Sequence, residues 1–155
     1  MIDNEFLNLL KEDEKVLYIY QYGSSVYGVQ SEDSDTDFLV ITEKHFEIPE
    51  NFINFAYEIE HTREDRIIHN LKYKNCDFIF YTSEDWFDMI MNNCIEAWEC
   101  ASLNRKFIHK ECVKIPVKLN QIALRQEVSA ICSNAYVKAK KKIKQGDYYI
   151  GKKSL

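Results

Sequence analysis

Asp35 and Asp37 stand two residues apart at the head of the apolar run Phe38-Leu39-Val40-Ile41. On a strand, residues i and i+2 point to the same face, so the two carboxylates are expected side by side. Neighbouring carboxylates resist ionising together unless a cation lies between them. The pair therefore suits a divalent metal, and hard Mg²⁺ favours carboxylate and phosphate oxygens together. Upstream, the β-branched and aromatic run Val16 to Tyr22 ends at Gly23-Ser24-Ser25. Gly23 lets the backbone approach a ligand without a Cβ. Ser24, with Ser25 beside it, opens a short helical turn whose unpaired N–H groups can cradle phosphate oxygens. Two-metal phosphoryl transfer wants a third acid. Asp77 is the first choice, because it puts a charge at the entry of the apolar strand Phe78-Ile79-Phe80-Tyr81 and could serve as general base toward an acceptor hydroxyl. Glu58 and Glu60 are its rivals.

The elements that must hold these residues can be read from local pattern. Residues 3–14 alternate apolar and charged positions as a short amphipathic helix does. Val16–Tyr22 reads as a strand, 24–29 as a short helix stopped at Gly28, and Asp35–Thr42 as a second strand. Phe52 to Ile59 is expected to be a strand, and Thr62 to Leu71 a helix with Thr62 as its cap. The run CDFIFYT within 73–82 predicts a strand, followed by a helix capped by Ser83 and reaching about Asn92, then another over about 93–103. From Pro116 to Gln145 apolar residues recur at steps of three and four, which predicts one long helix or two, stopped at Gly146. The fold class is α/β (α+β): a small mixed sheet flanked by helices, with a helical C-terminal part. Residues 1–110 are expected to form the core and 111–155 an extension.

A chain of 155 residues, 46% hydrophobic and 14% aromatic, holds one domain with a true core and is not a disordered or collagen-like chain. It contains no apolar run near the ~20 residues that a membrane-spanning helix needs. The acidic start Met1-Ile2-Asp3-Asn4-Glu5 lacks the plan of a secretion leader. Five cysteines (76, 94, 100, 112 and 132) form no C-x-x-C and no zinc spacing, so reduced thiols and a cytoplasmic setting are expected. The net charge of −5 conceals an asymmetry: 1–110 carries 10 basic and 22 acidic residues, whereas 111–155 carries 10 basic and 3 acidic. The basic tail, with lysines 138, 140, 141, 142, 144, 152 and 153, reads first as a solvated face and second as a contact for RNA or nucleotide phosphates. Arg63 and Arg66 read as surface residues before they read as triphosphate ligands.

Gly-Ser, a spacer of ten and Asp-x-Asp before an apolar strand resemble the nucleotidyltransferase superfamily typified by DNA polymerase beta. The fuller stretch YGSSVYGVQSEDSDTDFLVI is similar to its predicted bacterial and phage branch. The resemblance implies that Gly23 and Ser24, with the nearby N–H groups around Ser25, bind a nucleoside triphosphate. It implies further that Asp35 and Asp37 hold two Mg²⁺ ions and that Asp77 is the third carboxylate. The implied activity is transfer of a nucleoside monophosphate to a hydroxyl on RNA, protein or a small molecule, with pyrophosphate leaving. The alternative is a silent nucleotide- or partner-binding module, as in toxin–antitoxin pairs. Longer relatives continue past a Gly-Lys-Lys element such as Gly151-Lys152-Lys153, so the 111–155 extension is expected to be truncated relative to them.

Overall fold

The computed structural model describes residues 4–29, 34–53, 56–61, 67–113, 118 and 120–146. The elements, in order, are α1 (Glu5–Glu12), β1 (Val16–Tyr22), α2 (Ser24–Tyr27), β2 (Thr36–Thr42), α3 (Glu50–Ile53) and β3 (Ala56–His61). They continue with β4 (Ile67–Tyr73), β5 (Cys76–Thr82), α4 (Ser83–Met91), α5 (Ile95–Ala101), β6 (Ile108–Glu111) and α6 (Gln121–Lys144). The strands form one mixed sheet in the order β3-β4-β5-β2-β1-β6. Only β2 and β5 run parallel; the other neighbours are antiparallel.

Alternation along the two central strands sends their side chains into separate layers. Phe38, Val40, Phe78 and Phe80 join Phe6, Leu7 and Leu10 of α1, with Phe52, in one buried cluster. Asn4 starts α1 by accepting a hydrogen bond from the Leu7 N–H at 3.1 Å, which aims that apolar stripe at the sheet. Phe6 meets Phe78 edge-on at 5.0 Å, and Phe78 stacks on Phe38 at 5.1 Å. Leu39, Ile41 and Tyr81 face the other way, against Trp86, Met89 and Ile90 of α4 and Ala97 and Cys100 of α5.

Three expectations are corrected. Residues 50–53 form the short helix α3, so Phe52 lies in a helix and not in the strand expected from it, and among the described residues that strand is Ala56–His61. The helix expected over 62–71 is replaced by β4 from Ile67, because this segment is paired along both edges, to β3 and to β5. Helix α4 is capped by Thr82, one residue before Ser83: the Thr82 hydroxyl accepts from the Asp85 N–H at 3.2 Å. The edge strand β6, too short and polar to announce itself, pairs with β1 and straddles position 110. The long C-terminal helix is present, with Asn120 accepting from the N–H groups of Ile122 and Ala123. It is largely exposed, and Ala139 is its buried residue. Thr62, Arg63, Arg66, Pro116, Gly151, Lys152 and Lys153 lie outside the described residues.

Candidate active site

The parallel register of β2 and β5 sets Asp37 directly beside Asp77, one step before Phe38 beside Phe78. Both carboxylates therefore leave the sheet on the face that α4 and α5 cover farther along the strands. Antiparallel pairing brings Tyr22 of β1 to the other side of Asp37. Asp35 sits just before β2. The structure thus brings Asp35, Asp37 and Asp77, from two chain segments far apart in sequence, to the same end of the β2–β5 ladder.

Gly23 occupies the next position after Tyr22, with φ +73°, a conformation that L side chains rarely adopt. A Cβ added there would run into the Asp37 carboxylate. The absent side chain is thus what allows the turn after β1 to lie against the acid. Helix α2 follows, with the Val26 N–H used by the Gly23 carbonyl at 3.1 Å. Gly28, left-handed at φ +70°, closes the helix. Tyr27 donates to Glu99 at 3.0 Å, fastening α2 to α5.

The Ser25 hydroxyl is committed to the fold: it accepts from Gln21 Nε2 at 3.1 Å and donates to the Tyr22 carbonyl at 3.2 Å. Gln21 Oε1 lies 3.2 Å from His109 Nε2 on β6. A line of side chains from β6 through β1 thereby fixes the serine turn. Ser24 precedes Ser25 at the start of α2. Gln21 and His109 escaped the sequence reading because their role depends on the unforeseen strand β6.

Electrostatics marks the same place. Burial holds the Asp37 carboxyl above the usual range, and Asp77 and Asp35 push it further in that direction. Burial also raises Asp77; Lys72 opposes that rise, and Asp35 adds to it. Tyr22 is raised strongly, chiefly by burial and then by the charge of Asp37. Lys72 of β4 is the cross-strand neighbour of Asp77, and its ammonium donates to Asp35 while lying 4.0 Å from Asp77 Oδ1. Those two carboxylates, the Asp35 hydrogen bond first, raise the Lys72 ammonium above its ordinary value. Lys72 was missed because it fell between the helix expected over 62–71 and the strand run expected within 73–82, so no face was assigned to it.

Asp37, Glu58, Asn70, Lys72, Asp77 and Ile79 border a cleft of about 350 Å³. Glu58, the rival acid, is exposed on this wall. Among the described residues, no group of three or more His, Cys, Asp or Glu side chains is gathered closely enough to hold a metal ion. The Lys72 ammonium lies among the carboxylates instead. The donor set nevertheless fits Mg²⁺ in kind: hard anionic oxygens on one face, repelling one another and drawing a cation already.

Among the described residues, no helix is long and apolar enough to cross a membrane. All five cysteines are free thiols. A family model for the nucleotidyltransferase domain matches residues 3–143 of the chain. No curated protein matches it.

Proposed function

Since the chain belongs to the nucleotidyltransferase domain family, we propose that it transfers a nucleoside monophosphate from a nucleoside triphosphate to a hydroxyl acceptor, releasing pyrophosphate. The acceptor class is a hydroxyl on RNA, protein or a small molecule. One observation supports this reading above the others: the glycine turn, Asp37 and Asp77 are contiguous, and the turn can touch Asp37 only because Gly23 has no side chain. A glycine turn that could take an anion, beside a pair of neighbouring carboxylates, is what a nucleotide with its metal requires.

Asp35, Asp37 and Asp77 would hold Mg²⁺, which when bound supplies charge neutralisation at the phosphate oxygens. The chain's own groups do the rest. Ser24 and the amides of the α2 turn hold the β- and γ-phosphates. Asp77 orients the acceptor hydroxyl and takes its proton, a task suited to a carboxylate raised by burial. The acceptor oxygen forms its bond to the α-phosphorus as the bond to the bridging oxygen breaks, and pyrophosphate leaves. The work is positioning and electrostatics, with no covalent role for the protein. We read the sheet through β6, with its flanking helices, as the catalytic core and α6 as the helical extension.

The direct test is incubation with each labelled nucleoside triphosphate, Mg²⁺ or Mn²⁺ and candidate acceptors from a cell extract. Transfer of label that disappears in the Asp35→Asn/Asp37→Asn double variant supports the reading; label transfer that survives refutes it. A second reading, a silent nucleotide-binding module, draws on the Lys72 ammonium lodged among the acids. It predicts ATP binding that ignores Mg²⁺ and no pyrophosphate release.

A further inference from the structure

We propose that Lys72 is an intrinsic competitor for the divalent cation: its ammonium and the metal exclude each other at Asp35, so that every metal ion must displace it. The proposal deepens the reading of the acidic cluster as a metal site and rests on that reading. Three observations carry it. Lys72 is placed by the β4–β5 register opposite Asp77, on the face that carries the acids and not on the rim of an unrelated surface. Its Nζ bonds to Asp35, 37 residues away in sequence, and approaches Asp77 at 4.0 Å, so one ammonium bridges two of the three acids. Its side chain is 49% exposed, so packing does not hold it there; the carboxylates do.

A lysine ammonium is a compact point charge on a flexible four-carbon stem. It can neutralise a carboxylate pair at a strand end, yet it can swing away without disturbing the strand. In this position it relieves the repulsion between Asp35 and Asp77 and lowers the affinity of the bare protein for a divalent ion. The cation with the greater charge wins the exchange, and the released ammonium remains at the mouth of the cleft.

The test measures Mn²⁺ alone, by paramagnetic resonance of the free ion, against the wild type, Lys72→Met and Lys72→Arg. Thermal melts of each are taken with and without Mn²⁺. Lys72→Met is expected to bind Mn²⁺ about twofold to fivefold more tightly, the scale of a half-exposed ion pair removed from competition. It is also expected to melt lower than the wild type without Mn²⁺, with the gap narrowing when Mn²⁺ is added. Lys72→Arg, which keeps a cation at Asp35, is expected to bind no more tightly than the wild type. Equal or weaker Mn²⁺ binding by a folded Lys72→Met overturns the competition while leaving the metal site standing. Unchanged Mn²⁺ binding in Asp35→Asn/Asp37→Asn removes the metal site itself, and the competition falls with it. The two failures are therefore told apart by which variant gives the flat result.

Discussion

The strands β2 and β5 carry two opposite solutions on their two faces. On one face, Phe38 and Phe78 stack beneath Phe6, fully buried, and every contact there favours the fold. On the other, one residue earlier, Asp37 and Asp77 are set side by side, both carboxyls raised by burial, and that of Asp37 raised further by the charges of Asp77 and Asp35. The same ladder thus holds together a pair that attracts and a pair that repels. A repelling pair persists only because the packing behind it over-determines the strand positions. The difference teaches that the acidic face is a cost to stability carried by the aromatic face.

The sharpest way to break the comparison is to remove charge from one face. The Asp35→Asn/Asp37→Asn variant should lose nucleotidyl transfer by at least about 10³-fold, comparable to losing a principal electrostatic element of catalysis, while its circular dichroism stays native. On the other face, Phe78→Ala should cost about 3–5 kcal/mol in chemical denaturation, because a fully buried ring leaves a cavity between Phe6 and Phe38. Its transfer rate per folded molecule should be near wild type at low temperature.

Gly23→Ala joins both effects. The added methyl meets the Asp37 carboxylate at a backbone angle it rarely adopts, so a loss of about 1–3 kcal/mol is expected together with a fall in triphosphate binding. Melting curves and nucleotide titration read the two separately. Thr82→Ala, remote from the acids, should cost about 1 kcal/mol through the lost α4 cap and leave transfer unchanged.

The smallest effect bears on the comparison most directly. A carboxyl raised on folding binds its proton more tightly in the folded state. Its contribution is therefore most favourable below the ordinary carboxylate pKa and declines as pH rises through the raised value. Asp37 consequently opposes folding at neutral pH, and Asp37→Asn should raise the melting temperature by about 1–2 °C at pH 7. That gain should vanish in melts taken below about pH 4, where the wild-type carboxyl is protonated as well. A lower melting temperature for Asp37→Asn at pH 7 would mean that the acidic face is not under tension.

Much of this arrangement was legible in the residues. Val16–Tyr22, the run from Phe38 and the run CDFIFYT are too apolar and β-branched to be anything but central strands. Gly23-Ser24 and the paired aspartates announce themselves by spacing, and Asp77 by breaking an apolar strand. What escaped depends on long-range pairing. Ile67, Ile68 and Leu71 satisfy a three-and-four spacing as well as they satisfy a strand, and only pairing with β3 and β5 decides between the two. With a helix expected to end at Leu71, Lys72 fell outside any expected element and its face could not be inferred. The strand β6 offers only Ile-His-Lys-Glu, with no apolar run to mark it, so the tie from His109 through Gln21 to Ser25 was equally out of reach.

The parallel β2–β5 ladder has one more consequence. Its register aligns Asp37 with Asp77, while Phe52, Leu71 and Tyr73 from the chain between positions 42 and 76 are buried in the core behind that pair. Glu58 and Lys72, which border the cleft, both belong to that intervening stretch. The two faces of β4 thus carry separate duties: Leu71 and Tyr73 anchor the strand in the core, while Lys72 and Asn70, on the opposite side, set the charge and shape of the cleft wall together with Glu58 of β3.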